Sequence, residues 1–377
     1  MSERFDAIVV GAGPAGSAAA TVLAQRGWRT AVVEKAVFPR HKVCGEFLAG
    51  GALASLERLG AAREVENAGP ERIERGFVSV AAGVRVPFDL PAPALGLSRY
   101  RLDELLARNA SRAGASVRFG ARVVAIEGDS AGIFRVRVAR GGAEETVEAP
   151  VVIGAWGRWD ALDRELTRGF LGGRRFFAWS RDYTGDTGPL AGEVRLYVFP
   201  GGYCGLSRVE GQEANLAGVV SEALRRRLEG GWEAVVAYAR RSHPLLDADL
   251  ARLAPGPVGF LGTGPVFFTA KPPTERGLLM AGDAAGVLDP FSGEGQSAAL
   301  ASGILAGETA ARGLDGEFAL ERLPGVYAAA WRSRFARRFA WNALFRRFIL
   351  SPSLGALAGR LAGERLVRFA LARLGRE

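Results

Sequence analysis

Residues 5 to 34 constrain the fold of this chain more than any other stretch. A short apolar run, Phe5 to Val10, leads into Gly11-Ala12-Gly13-Pro14-Ala15-Gly16. An Ala-rich segment from Ser17 to Arg26 has helical signal, Gly27 ends it, and Thr30 to Val33 reads as a second buried strand closing at Glu34. Strand, glycine-rich turn, helix and strand make a βαβ unit. In it Gly11 allows the tight turn, Gly13 lets the backbone approach a pyrophosphate, and Gly16 lets helix and strand pack closely. Free N–H groups at the helix start face the phosphates. Glu34 follows Gly16 by eighteen residues, where its carboxylate can take ribose hydroxyls. Strand, helix, spacing and acid agree, so the unit predicts dinucleotide binding.

The 377 residues exceed what one core usually holds, so one large or two interleaved domains are expected. Two cysteines, Cys44 and Cys204, and two histidines, His41 and His243, exclude a disulfide framework and a Cys- or His-built metal centre, and they point to a reducing compartment. No metal is expected. The N-terminus runs straight into the first strand without the basic start and apolar stretch of a signal peptide. The longest charge-free apolar run, Gly256 to Ala270, is broken by Pro257 and Pro265, whereas a membrane span needs about 20 apolar residues. A cytoplasmic protein without an integral membrane segment is the expectation.

The net charge of +9 is unevenly placed: residues 331–377 hold eleven arginines and two glutamates, and residues 1–330 carry thirty-eight groups of each sign. Nucleic acid would need a basic surface on the folded body, which this distribution does not offer. The tail mixes Phe335, Phe339, Phe345 and Phe348 with arginines that spread around the helical projection. Two readings of it stand: a helix pair packed on the body, or a peripheral contact with anionic membrane.

Further along, Leu102 to Ala113 is helical in pattern, and Ser116 to Ile126 and Phe134 to Val138 read as strands. Thr146 to Ile153 is another apolar run, ending at Gly154-Ala155-Trp156-Gly157. A strand-rich middle follows with Glu193–Phe199, Tyr203–Arg208 and Ala214–Val220, and then a helical stretch from Leu224 to Arg241. His243, before Pro244, reads as a surface or capping group. Leu278 to Ala281 is again a buried strand, and Gly282-Asp283 leads through Asp289-Pro290-Phe291-Ser292-Gly293-Glu294-Gly295 into a small-residue helix reaching Ala311. A carboxylate at the end of a buried strand can hold ribityl or ribose hydroxyls, and a helix opening from a glycine-rich turn aims N–H groups at an electron-rich ring edge. Asp289 and Glu294 serve equally as caps or as acid–base groups.

With these two motifs in this order, the sequence resembles the FAD-dependent oxidoreductases of the geranylgeranyl reductase and aromatic hydroxylase type, which share the p-hydroxybenzoate hydroxylase fold. The resemblance covers about residues 5 to 311. Pro39-Arg40-His41-Lys42-Val43-Cys44-Gly45-Glu46 is similar to the P-x-x-K-x-C-G-E segment of the geranylgeranyl reductase branch; Arg99 with Leu102-Asp103 is similar to R-x-x-[FL]-D; Phe199-Pro200-Gly201-Gly202-Tyr203 is similar to F-P-x-G-Y.

The resemblance implies an α/β chain with a Rossmann-type FAD-binding domain (1–75, 99–157 and 277–330), an inserted β-sheet substrate domain (76–98 and 158–276) and a basic helical C-terminal segment (331–377). FAD would be held at the first turn by Gly11, Gly13, Pro14, Ala15 and Gly16, with Glu34 and Lys35 beyond it. Arg40, Cys44, Gly45, Arg99, Val123 and Gly157 would follow, and then Gly282, Asp283, Pro290, Gly293, Glu294 and Gly295. NAD(P)H would visit as a transient reductant, since no second glycine-rich βαβ unit is present. Cys44 and Tyr203 are the catalytic candidates. Cys44 is either a proton donor or redox thiol beside the flavin, or a small buried apolar residue.

The implied activity is reduction of C=C bonds in a hydrophobic isoprenoid or polyketide substrate, with hydroxylation of an aromatic as the alternative and a redox partner without turnover of its own as a third reading. Where the hydroxylase branch usually has Ala-Asp-Gly, this chain has Ala155-Trp156-Gly157. Halogenases of the fold carry W-x-W-x-I-P and a channel lysine. Neither Trp pair context nor a lysine between Lys42 and Lys271 is present.

Overall fold

The computed structural model describes residues 2–80, 85–169 and 172–349. Its centre is a six-stranded sheet in the spatial order Thr274–Glu275, Leu278–Met280, Val151–Gly154, Ala7–Val10, Thr30–Glu34 and Ser116–Phe119. All neighbours are parallel except the antiparallel edge at Thr274–Glu275. The inner strands are apolar without alternation because both faces are covered, and every residue of Ala7–Val10, Thr30–Glu34 and Val151–Gly154 is buried.

One face is covered by the helices Pro14–Gln25 and Gly295–Leu314, which lie against each other with almost no side chain between them. A Cβ on Gly303 would sit 2.1 Å from the Ala15 carbonyl oxygen, and one on Gly307 would sit 2.8 Å from that of Ala19. The small-residue composition of the second helix is thus the condition for backbone-to-backbone contact.

A four-stranded sheet, Glu3–Arg4, Ala143–Ala149, Phe134–Arg140 and Ala121–Glu127, flanks this layer. Two apolar runs that read as single strands each divide between the two sheets. Ser116 to Ile126 breaks at Gly120, whose φ of +65° turns the chain from the parallel sheet into the small one. The run ending at Ile153 breaks at Pro150, which separates Ala143–Ala149 from Val151–Gly154.

The third sheet has nine strands and gathers sequence from both sides of the helix Arg99–Arg112: Phe47–Leu48, Glu71–Val80, Arg85–Gly96, Phe176–Gly185, Glu193–Phe199, Gly202–Arg208, Ala214–Ser221, Leu253–Pro255 and Leu261–Val266. Alternation along its strands produces two apolar faces. Trp179, Tyr197, Cys204 and Val220 point to a core closed by Val235, Val236 and Ala239 of the helix Gly231–Ser242. Ala178, Tyr203 and Val219 point the other way, to Val266, Phe268 and Val287. The helical stretch expected from Leu224 to Arg241 is two helices, Glu222–Arg227 and Gly231–Ser242, parted by Gly230 and Gly231 at positive φ. His243 is no surface group: it is 1% exposed, with its ring 5.1 Å from that of Tyr197 in the first of these cores.

The helix Leu323–Ile349 starts before residue 331 and lies on the nucleotide layer. Leu323, Tyr327, Trp331 and Phe335 enter that layer's core, and the Tyr327 hydroxyl donates to the Met280 carbonyl at 2.6 Å. Arg332, Arg334 and Arg337 remain exposed. The second half of the helix pair expected in the tail falls outside the described residues.

Candidate active site

The first wall of the site is the turn between Ala7–Val10 and Pro14–Gln25. Gly11 has φ +102°, and a Cβ there would meet the Ala155 carbonyl oxygen at 2.5 Å. A Cβ on Gly16 would meet the Gly11 oxygen at 1.8 Å. At Gly13 the situation is opposite: the only heavy atom a Cβ would approach is a guanidinium nitrogen of Arg99, at 3.8 Å. Gly13 therefore faces open space at the start of a helix whose first turn has no side-chain cap and no acidic residue. That is a cradle for an anion.

Beside it, Glu34 is 6% exposed and accepts from the Ala12 N–H through Oε2 and the Ala36 N–H through Oε1, both at 2.8 Å. Each carboxylate oxygen has a further lone pair for a ligand hydroxyl. A cavity of about 800 Å³ opens here, and Gly11, Gly13, Glu34, Lys35, Arg40 and Val123 all line it. A second chamber of about 180 Å³ adjoins it, with Pro14, Ala15, Cys44, Gly45, Arg99, Gly157, Gly282, Asp283, Pro290, Gly293 and Gly295 in its wall. Gly13, Lys42, Ala155 and Arg158 border both, so the two form one cleft.

At the junction the charges are cationic. Arg99 grips Asp103 through two hydrogen bonds of 2.7 Å, and Arg40 reaches the same carboxylate at 3.2 Å. Arg40 keeps one buried guanidinium nitrogen without a hydrogen-bond partner. Burial, with Arg99 nearby, pushes the Lys42 ammonium down to about 8. Arg40, Lys42 and Arg99 outnumber the carboxylates Asp103 and Asp283 that face them, which suits a pyrophosphate. The uncapped helix start, the Gly13 cradle and the orphaned Arg40 nitrogen together fit FAD, whose phosphates Gly13, Lys42 and Arg99 would hold and whose ribose Glu34 would take.

Residues 42–46 of the motif Pro39 to Glu46 line the second chamber. The Cys44 sulfur accepts from the Glu46 N–H at 3.3 Å and from Gln296 Nε2 at 3.5 Å, and Asn215 donates to the Cys44 carbonyl at 2.9 Å. Burial pushes the thiol up, against the pull of Arg99. Glu46 has φ +53° and accepts from the Arg99 N–H at 3.0 Å. Burial pushes its carboxyl up to about 7, with Glu210 and Asp182 adding to the rise. Gln296 is 6% exposed, and its Oε1 has no partner. The wall also has an apolar part, made by Ala178, Val266, Phe268 and Val287.

Three of the residues expected at the site are placed otherwise. Tyr203 lies one layer behind the chamber wall, 4% exposed, with its hydroxyl donated to Asp289 Oδ1. Burial and the Asp289 carboxylate hold that hydroxyl well above its ordinary range, so it braces rather than reacts. Glu294 borders neither chamber and stands at the N-terminus of Gly295–Leu314. Gly16 borders neither as well; its place is the contact with Gly11. Asp289 is a cap: its side chain accepts from the Phe291 N–H, and its own N–H donates to Asn342 Oδ1 at 2.7 Å.

Sequence reasoning missed Gln296 and Asn342, and it quoted Lys42 and Glu46 only as parts of a motif. No local signal marks Gln296 or Asn342, because their partners lie 252 and 53 residues away. At the position of the hydroxylase Asp, the Trp156 ring lies over Gly154 and its N–H donates to Asp163 at 3.2 Å. Among the described residues there is no group of three metal-ligating side chains and no helix long and apolar enough to cross a membrane.

Residues 4–180 match the family model described as FAD binding domain. The chain is 29% identical to a menaquinone reductase of Mycolicibacterium smegmatis, over 90% of this chain and 82% of that protein. It is also 29% identical to a digeranylgeranylglycerophospholipid reductase of Methanothrix thermoacetophila, over 93% and 88%. The solved structure of the flavin-dependent brominase Bmp2 superposes with a TM-score of 0.82 at 20% identity, covering 99% of this chain and 93% of that one, a likeness of fold. The resemblance drawn from the motifs, the α/β fold and the FAD cofactor stand together on these matches.

Proposed function

We propose that this chain, an FAD-dependent oxidoreductase, reduces a carbon–carbon double bond in a hydrophobic, isoprenoid-bearing substrate, with NAD(P)H as the source of electrons. FAD supplies the hydride when bound. The observation that carries the reading is the composition of the second chamber, whose wall combines the apolar Ala178, Val266, Phe268 and Val287 with the polar Cys44, Glu46 and Gln296. The apolar part takes a hydrocarbon out of water, at roughly 25 cal/mol per Å² buried. The polar part supplies protons and orientation. Arg99, Lys42 and Gly13 hold the cofactor phosphates, and Glu34 orients the ribose. A redox carrier needs no such apolar wall.

The relatives support the reductive direction, for the substrates in their names, a menaquinone and a digeranylgeranylglycerophospholipid, both carry isoprenoid chains. Trp156 in place of the hydroxylase carboxylate, its N–H committed to Asp163, argues against hydroxylation. Peripheral contact with anionic lipid through the exposed Arg332, Arg334 and Arg337 would bring the enzyme to such a substrate.

The test is anaerobic reduction with NADH or NADPH, followed by a prenylated quinone or a polyprenyl lipid. Return of the oxidised flavin absorbance with a product two hydrogens heavier and one isoprenoid carbon–carbon double bond fewer supports the reading, whereas a quinol with its chain unchanged does not. Turnover that requires O2 and yields a product bearing its oxygen replaces it with hydroxylation.

A further inference from the structure

Reducing a carbon–carbon double bond takes a proton as well as a hydride, so a donor must stand on the chamber wall, and this inference rests on the reduction proposed above. Six ionisable groups border the chamber: Lys42, Cys44, Glu46, Arg99, Arg158 and Asp283. Arg99 is committed to Asp103, Arg158 donates to the Thr263 hydroxyl at 3.0 Å, and Asp283 is a carboxylate whose charge acts on Lys42. Cys44 offers its sulfur as an acceptor to two N–H groups, and burial makes its thiol a weaker acid than usual.

Glu46 is built differently. Its backbone is held left-handed, at φ +53°, by a hydrogen bond from the Leu97 N–H to its carbonyl at 3.0 Å. Its Oε1 is fixed by the Arg99 N–H, which leaves Oε2 for a ligand. Its chain neighbour Phe47 is in the same wall, as is the unpartnered Oε1 of the buried Gln296. We propose that Glu46 is the proton donor of the reduction: one alkene carbon takes hydride from reduced FAD, and the other takes the proton from the Glu46 carboxylic acid. The flavin leaves oxidised and is restored by NAD(P)H, and the Glu46 carboxylate regains its proton from solvent.

The surroundings keep the acid form available near neutrality. Arg99 favours the carboxylate through its charge and its N–H, while burial, Glu210 after the strand Gly202–Arg208 and Asp182 on Phe176–Gly185 favour the acid, and the balance lies at about 7. Cys44 adds no charge as a neutral thiol. A donor matched to the working pH contributes roughly 100- to 10,000-fold.

The experiment compares FAD-loaded wild type with Glu46→Gln, which keeps the acceptor for the Arg99 N–H, and with Glu46→Asp. Three readouts are taken: the anaerobic rate of reduced-flavin oxidation by an unsaturated polyprenyl substrate from pH 5 to 9, flavin content by absorbance, and the protonated-carboxyl band in infrared difference spectra. The wild-type rate falls as pH rises through about 7, in step with loss of the infrared band. Glu46→Gln keeps its flavin, lacks the band, loses the pH limb and is slowed at least about 100-fold, and Glu46→Asp recovers part of the rate. Active wild type alongside Glu46→Gln of equal rate and unchanged pH limb overturns the donor alone. Wild type that reduces no such bond overturns the reaction assigned to the chamber, and the donor with it.

Discussion

The turn from Gly11 to Gly16 and the turn from Asp289 to Gly295 border the same cleft and are held in opposite ways. The first is backbone on backbone: Gly16 lies on the Gly11 carbonyl, and Gly11 lies on that of Ala155. The second is tied by side chains from elsewhere, Tyr203 from the large sheet, Asn342 from the helix Leu323–Ile349 and the Phe47 ring against Gly293. The first needs only its own sheet and helix. The second exists only when the large sheet and the C-terminal helix have both docked.

The comparison is broken most severely at Gly16. Gly16→Val drives atoms into the Gly11 carbonyl, whose distance to a Cβ is 1.8 Å, and the expected outcome is loss of folded protein, read by circular dichroism and gel filtration. Gly13→Val in the same turn has room, so the chain folds but the side chain occupies the pyrophosphate cradle. FAD binding is then lost while the thermal transition of the flavin-free protein moves little, and retained flavin affinity would make the turn structural only.

In the second turn the effects are graded. Asn342→Ala leaves the buried Asp289 N–H without its acceptor and costs about 1 to 3 kcal/mol in denaturant titrations, with faster FAD release from a folded enzyme. Unchanged stability and release would show the turn to be self-supporting like the first. Smallest is Cys44→Ser. With Glu46 as donor the rate changes less than about threefold, because a hydroxyl keeps the acceptor contacts, and a tenfold drop would return Cys44 to turnover. Stability carries its own signature at Glu46. Its pKa rises from 4.5 to about 7 on folding, so the folded state holds the proton more tightly and wild type loses stability relative to Glu46→Gln as pH climbs through that window. Melting curves at pH 5 and 8 read the widening gap.

What was legible in the sequence follows the same division. Gly11, Gly13, Gly16 and Glu34 act through spacing within one βαβ unit, so their pattern states their geometry. The two apolar runs broken at Gly120 and Pro150 look continuous because both halves are buried, and only the sheets they enter differ. Tyr203 was legible as a motif residue but not as a brace, since its partner Asp289 lies 86 positions on. The acidity of Glu46 is a property of burial between a loop, a helix and a strand, which no local pattern carries.

The bond between Asp289 and Asn342 also sets an order of events. Chains are threaded out N-terminus first, at about 5 to 20 residues per second, and Asn342 follows Asp289 by 53 residues. While the nascent chain is still short of that helix, the Gly13 cradle can already be folded around its sheet, yet the far wall of the chamber has no strut. A flavin arriving then meets a phosphate grip without a ring pocket, so lasting capture of the cofactor waits for a segment that, among the described residues, lines neither chamber of the cleft.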